Sequence, residues 1–545
     1  MMTSPTDTRR PPARLQRWLP FLGWLPQQNS RSLRGDAIAG LTGAVLVVPQ
    51  GVAYALLAGL PPEYGLYTAM VPAVLAALFG SSRQMISGPT AALSIALFAT
   101  LKPFAGAGSG DFIILALTLT FLAGVFQLLL GLARLGALVN LVSHSVVMGF
   151  TAGAALIIAI SQLPHALGLV FEEHVGVLDL WPRLGDVRLD AVLIAGFTVA
   201  ACLAFQRWLP RWPGMLLVLL AASLLAAWLD PQHALIPRIA AVPAGLPPLS
   251  MPDFSPDSLR SLVPGAIALG LLGLVEATAI ARAFALRSGE RLNSNQEFIG
   301  QGLSNIGGAF FSGYVSSGSF TRSGLNASAG AGSPLAAVLA ALFLVPIMLL
   351  AAPLLHHVPM PAMAGLLLLV AARLVDRKGI REALQTSRSE TAVLSITFFS
   401  TLLLALEFAI YFGVLASLVL YLRRTTRPPV VECMLSAAPL EIQQALEEPC
   451  CDVVRIDGSL FFGACDSVAQ RLERCDQPNL VILAAGINFI DLSGIHLLRH
   501  QARRCHGRGG KLYLVWTKPD VMARLQRAHL VDGDDCRDRP VTIGI

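Results

Sequence analysis

Ser87-Gly88-Pro89-Thr90-Ala91-Ala92-Leu93-Ser94 is too short and irregular for an ordinary membrane span, and 230 positions later Ser317-Gly318-Ser319-Phe320-Thr321-Arg322-Ser323-Gly324 repeats its plan. In each, a Ser-Gly pair precedes a small polar stretch. Pro89 suits a helix start, where its missing N–H costs nothing. Backbone at membrane depth cannot be left unpaired against lipid, so irregular chain there is buried in protein or lines a wet cavity. If both segments start helices near midplane in opposite orientations, their N-termini face one another, bringing unbonded N–H groups and positive dipole ends to one spot. An anion is the natural occupant. The same small residues would also serve close helix packing alone. Arg322 argues against that, because a guanidinium near midplane costs roughly 2.5–3.5 kcal/mol on insertion scales.

The rest of the chain supplies a membrane setting. Of 545 residues, 54% are hydrophobic and 14% charged, against about 25% charged in soluble domains. With a mean hydropathy of +0.63, this excludes a mainly soluble or disordered protein and makes a polytopic membrane protein the leading class. Apolar segments run at 36–58, 64–80, 88–101, 111–133, 143–170, 189–206 and 214–229, then at 262–284, 296–313, 320–330, 334–354, 360–375, 390–406 and 407–422. That is seven plus seven, with the two irregular stretches third in each set. An odd first set inverts the second, and inverted repeats are a transporter architecture.

The net charge of +6 is not gathered into a polyanion-binding stripe, so nucleic acid is not an expected partner. Arg9, Arg10, Arg14 and Arg17 precede the first apolar run, and an alternating count puts Arg83, Arg134, Arg207, Arg282, the run from Arg373 to Arg388, Arg423 and Arg424 on the same side. By the positive-inside rule both termini are cytoplasmic, in a multi-pass inner-membrane protein. Phe171-Glu172-Glu173 and Pro247-Pro248 go to the opposite face. Pro11, Pro12, Pro20 and Pro26 interrupt the N-terminal stretch, which does not read as a cleavable signal. Of eight cysteines only Cys202 lies in the apolar part, and no C-x-x-C pair supports zinc. Reduced thiols in a cytosolic C-terminal domain are expected.

Glu276 lies about a dozen residues into the first span of the second set. A carboxylate there either pairs with a cation such as Arg322, locking two helices, or takes up a proton. The second option would let a proton and an anion move together. The 230-residue offset puts Glu276 opposite Leu46, one turn from Gln50, which can donate to an anion. Tyr54 follows on the same face, as ligand or packing residue. Glu407 reads as solvated, and His356-His357 lacks a carboxylate beside it for a metal site. No enzyme motif stands in its proper context, so no catalytic residue is assigned.

The run Pro49-Gln50-Gly51-Val52-Ala53-Tyr54-Ala55-Leu56-Leu57-Ala58-Gly59-Leu60-Pro61-Pro62-Glu63-Tyr64-Gly65-Leu66-Tyr67 resembles the first-span signature of the sulfate permease (SulP) family of anion transporters. The Ser87 and Ser317 segments resemble that family's third and tenth spans, and the tail resembles its STAS domain. The resemblance implies a fourteen-span helical membrane fold of two inverted seven-span repeats, with gate and core domains, in a homodimer. It implies an anion site at Gln50, Tyr54, Thr90, Phe320, Thr321 and Arg322; Ala91 and Ser319, beside them, complete the candidate set. The family's acidic eighth-span residue falls on Glu276. Related bicarbonate carriers have an aspartate and sodium coupling, so a glutamate favours protons as coupling ion, with no other cofactor.

Residues 1–34 are then a cytoplasmic segment, 35–427 the anion transport domain and 428–545 the cytosolic STAS domain. In the tail, strands at 453–456, 480–483 and 511–516 alternate with helices at 465–475, 494–504 and 519–529, a small α/β layer. Ser493 opens a helix and either caps it or, through the resemblance, is a phosphorylation site. The expected function is secondary active transport of a small inorganic or carboxylate anion (sulfate, bicarbonate or a dicarboxylate), proton-coupled and elevator-like. The alternatives are an uncoupled or channel-like anion pathway, or an anion-sensing regulator whose STAS domain signals to a cytosolic partner.

Overall fold

The computed structural model describes residues 19–136, 143–169, 181–209, 214–231, 236–239, 245–290, 292–404, 406–445, 451–531 and 541–543. The arginines up to Arg17, the Phe171-Glu172-Glu173 stretch and the side chain of Glu407 lie outside the described residues. The chain divides into two compact units, Met1–Ser417 and Leu418–Ile545. The division falls inside the last apolar helix.

Every apolar segment read from the sequence is occupied by helix. The first unit contains α1 (Ser30–Leu57), α2 (Pro62–Thr68), α3 (Val71–Phe79), β1 (Ser87–Gly88), α4 (Ala91–Leu101), α5 (Gly110–Leu132), α6 (His144–Leu167), α7 (Leu189–Trp208) and α8 (Gly214–Leu229). It continues with α9 (Pro256–Ser288), α10 (Ser294–Phe310), β2 (Ser317–Gly318), α11 (Phe320–Ser328), α12 (Leu335–Leu355), α13 (Met360–Leu374), α14 (Arg377–Thr386), α15 (Arg388–Leu403) and the part of α16 (Leu406–Thr425) up to Ser417. Among the described residues six helices are long and apolar enough to cross a membrane by themselves. The segment at 64–80 departs from a single span: it is α2 and α3, broken at Ala69–Met70 ahead of Pro72, which has no N–H to continue the helix.

Helix starts follow local chemistry. Asn29 closes a capping box with Ser32 on α1, and Ser109, Ser143 and Ser255 cap α5, α6 and α9. Helix contact relies on small residues, as is usual where lipid removes the hydrophobic drive. A Cβ on Gly124 of α5 would lie 2.7 Å from the Ile306 amide nitrogen of α10, and one on Gly302 of α10 would lie 2.6 Å from that of Leu128. Backbones that close leave room for nothing larger than glycine.

The second unit is a five-stranded sheet in the order β3 (Val430–Cys433), β4 (Cys451–Ile456), β5 (Asn479–Leu483), β6 (Leu512–Val515), β7 (Val541–Thr542). The inner pairs β4/β5 and β5/β6 are parallel and both outer pairs antiparallel. The edge strands and the helix Leu440–Ala445 escape the sequence reading, being short and only partly apolar. The helices that follow β4, β5 and β6 are Phe462–Leu472, Leu492–Gly507 and Pro519–Arg527. They cover one face over Ile456, Ile482 and Leu514, while Leu435 and Ile442 pack on Val453, Val481 and Val515 of the other. The described cysteines are free.

Candidate functional site: two crossed helix starts

The two Ser-Gly pairs meet. β1 and β2 form a two-stranded antiparallel ribbon, Ser87 opposite Gly318 and Gly88 opposite Ser317. The ladder extends through Ser319 N donating to Ile86 O at 3.0 Å and Ile86 N donating to Ser323 Oγ at 2.9 Å. Because the strands are antiparallel, α4 and α11 leave the ribbon in opposite directions. Thr90 caps α4 by accepting from Leu93 N, and Ser319 caps α11 by accepting from Arg322 N. The amides of Ala91, Ala92, Phe320 and Thr321 are first-turn donors with no intrahelical acceptor.

Arg322 is 2% exposed. Its Nη2 donates to Pro89 O at 2.9 Å, while Nε and Nη1 are buried without a hydrogen-bond partner. Gly88, at φ +151°, makes room for this: a Cβ there would lie 2.4 Å from Arg322 Nη1. Glu276 of α9 takes a hydrogen bond from Thr90 Oγ1 at 3.1 Å. Among the described residues Glu276 and Arg322 make no salt bridge with each other, which removes the locked ion pair as the reason for Glu276.

Beside the ribbon opens a cavity of about 570 Å3, whose lining includes Gln50 and Thr321. Gln50 is 3% exposed; its Nε2 faces Met215 Sδ at 4.0 Å and its Oε1 is unpartnered. Tyr54 lies within electrostatic reach of Arg322 and Glu276. Ala91 and Ser319 are buried at the two helix starts. Phe320 is turned elsewhere: exposed and outside the cavity lining, its ring packs on Phe284 at 5.7 Å. Arg322 does not line this cavity either; it lines a separate small void together with Ala44, Val47 and Ala340.

A polar network that the sequence reading missed supports the ribbon. Asn305 Nδ2 donates to Gln127 Oε1 at 2.8 Å, and Asn305 Oδ1 accepts from Ser316 N at 2.7 Å. Gln301 Nε2 donates to Ser87 Oγ at 2.7 Å, and Ser317 Oγ donates to Gly273 O at 2.7 Å. Buried Glu297 accepts from Ser81 N and Ser82 N at 2.9 and 3.0 Å. The polar stretch Gln301-Gly302-Leu303-Ser304-Asn305 inside an apolar segment was the available signal. Among the described residues no group of three or more His, Cys, Asp or Glu side chains could hold a metal.

In the second unit, Ser493 is not the cap. Asp491 is: its Oδ1 accepts from Gly494 N at 3.1 Å, its Oδ2 from Phe462 N at 2.9 Å, and Ser493 is the second residue of the helix. Aspartate ranks with serine as a cap, and here it serves two helix starts at once.

A helical membrane unit built around crossed helix starts, followed in the chain by a five-stranded α/β unit, defines a membrane transporter fold with a C-terminal STAS domain. Residues 33–397 match the Sulfate permease family and residues 443–538 the STAS domain. The chain belongs to the sulfate permease family. It is 32% identical over 535 residues to the probable sulfate transporter Rv1739c of Mycobacterium tuberculosis, covering 95% of this chain and 96% of that one. Among solved structures, the murine Slc26a9 anion transporter in its inward-facing state superposes with a TM-score of 0.84 at 22% identity, over 97% of this chain and 93% of that one. The transmembrane domain of a cyanobacterial bicarbonate transporter, BicA, gives a TM-score of 0.62 at 28% identity, over 72% of this chain and 98% of that domain.

Proposed function

We propose that the protein is a secondary active carrier of a small anion, either inorganic or a carboxylate. The observation that carries this is the antiparallel ribbon of Ser87-Gly88 on Ser317-Gly318, which sets two helix starts and the Arg322 guanidinium around one point. Unbonded N–H groups, two dipole ends and a buried cation together favour negative charge. The sulfate and bicarbonate transporters among its relatives support the class of substrate.

In this reading Gln50, Tyr54, Thr90, Ala91, Ser319 and Thr321 surround the anion and Arg322 supplies charge from outside the cavity lining. Phe320, packed on Phe284, enters only if α11 shifts on α9. Glu276, held by Thr90 at the same helix start, takes up the coupling proton: when neutral it stops repelling the anion beside it. Fourteen spans in two inverted seven-span repeats, arranged into a core and a gate domain, account for the paired ribbon, and an elevator-like shift of the core moves the site. The carrier is a homodimer in the inner membrane with cytoplasmic termini, needs no cofactor beyond protons, and its STAS domain meets a cytosolic regulator. Phosphate on Ser493 would gain from the helix start but meet Asp491.

Uptake of labelled sulfate and labelled bicarbonate into proteoliposomes, with and without an inward proton gradient, tests the reading. Gradient-driven accumulation of either is expected; uptake indifferent to the gradient removes proton coupling, and no uptake of either removes the carrier.

A further inference from the structure

The described lining of the large cavity contains one charged side chain, and it is Arg373, in the last turn of α13. Among the described residues no Asp or Glu lines it. Arg373 is exposed and makes no hydrogen bond or salt bridge among the described residues. The nearby carboxylate that could neutralise it, Asp376, is committed elsewhere: its Oδ1 accepts from Gly379 N at 3.0 Å as the cap of α14.

Exposure marks where the cavity opens: Gln206, Leu209 and Arg373 in its lining are exposed, whereas Gln50 is buried. Among the described residues, the wall between Arg373 and Thr321 carries no other charged side chain. Tyr54 lies within electrostatic reach of both Arg373 and Arg322, so the fields of the two cations overlap there. An unpaired cation at the mouth of a low-dielectric cleft raises the local concentration of small anions.

Resting on the reading of the protein as an anion carrier, we propose that Arg373 forms a second anion station at the cavity mouth, which captures a small oxyanion and hands it on past Gln50 to the crossed helix starts. The station is electrostatic and asks only for negative charge and small size. Discrimination among anions belongs to the deeper site.

The test is initial-rate uptake of labelled sulfate and labelled bicarbonate by the full chain in proteoliposomes, at low and high ionic strength. Arg373→Gln is expected to raise KM about fivefold or more at low salt, to leave Vmax nearly unchanged, and to flatten the salt dependence. Arg373→Lys, which keeps the charge, is expected to retain wild-type KM. A wild-type KM and salt dependence in Arg373→Gln overturns the station while leaving the carrier standing. Collapse of Vmax in both variants overturns it too, by showing a packing role. A wild-type protein that takes up neither anion overturns the carrier reading and the station together.

Discussion

Arg322 Nη2 donates to the carbonyl of Pro89 at 2.9 Å, tying the start of α11 to the start of α4. A carbonyl dipole does not neutralise a guanidinium, and two further nitrogens of Arg322 are left without a hydrogen-bond partner. Arg322→Ala removes both the tie and the charge. Loss of a hydrogen bond to a charged group costs about 1.5–3 kcal/mol of stability, and loss of the buried positive charge is expected to lower anion affinity about tenfold or more. Titration of purified protein with sulfate and bicarbonate reads this directly.

Gly88 and Gly318 face each other's strand but differ in what a methyl group would meet. At Gly88 it would strike Arg322 Nη1 on a backbone at φ +151°; at Gly318 it would meet the flexible Met85 thioether at 2.5 Å. Gly88→Ala is expected to cost about 1–3 kcal/mol from its backbone alone and to displace the guanidinium. A melting temperature in detergent lowered clearly more by Gly88→Ala than by Gly318→Ala is the expected result.

Thr90 links Glu276 to the start of α4, so a change in the charge of Glu276 is felt at the helix start it faces. Glu276→Gln keeps the shape and fixes the side chain neutral. Uptake by this variant is expected to lose its dependence on external pH while remaining measurable. A variant with the wild-type pH profile would move the coupling proton elsewhere.

Asp491 supports two helix starts in the STAS domain through Gly494 N and Phe462 N. Asp491→Ala is expected to cost about 1–2 kcal/mol and to speed hydrogen exchange at both amides. Ser493→Ala, lacking a capping bond, is expected to leave those amides protected.

Burial, reinforced by Asp491 and Asp466, pushes the Cys465 thiol up to about 11; burial, with Asp452 and Glu432, does the same for Cys475. Both are thus neutral in the folded protein across the physiological range. Stability from burying them neutral is complete below the ordinary thiol value of 9.0 and is lost as pH climbs toward about 11. Alkylation at pH 7.5 is expected to be slow at both positions, and to accelerate in that alkaline window.

The membrane unit was legible because lipid enforces a simple rule. Apolar runs of sufficient length became helices, and the irregular Ser87 and Ser317 stretches stood out because they broke that rule at matching places. That their helix starts face one another followed from the opposite orientation of the two sets, whereas the β-ribbon joining them is visible only in the fold. What escaped was set by tertiary geometry. The side on which Arg322 lies depends on the space left by Gly88, and the network of Gln127, Asn305 and Ser316 joins residues far apart in the chain. Phe320 resembled a ligand by position, yet its ring went to Phe284. In the tail, two acceptable caps stood two residues apart, and the bonds from Gly494 N and Phe462 N show that Asp491 is the one used.

Counterflow is the most direct test of the central claim that the crossed helix starts carry an anion across the membrane. Proteoliposomes are loaded with excess unlabelled sulfate or bicarbonate and diluted into a trace of the same labelled anion. A carrier gives transient accumulation of label above its equilibrium level, abolished by Arg322→Ala. A monotonic approach to equilibrium, or no entry of label at all, would contradict the account.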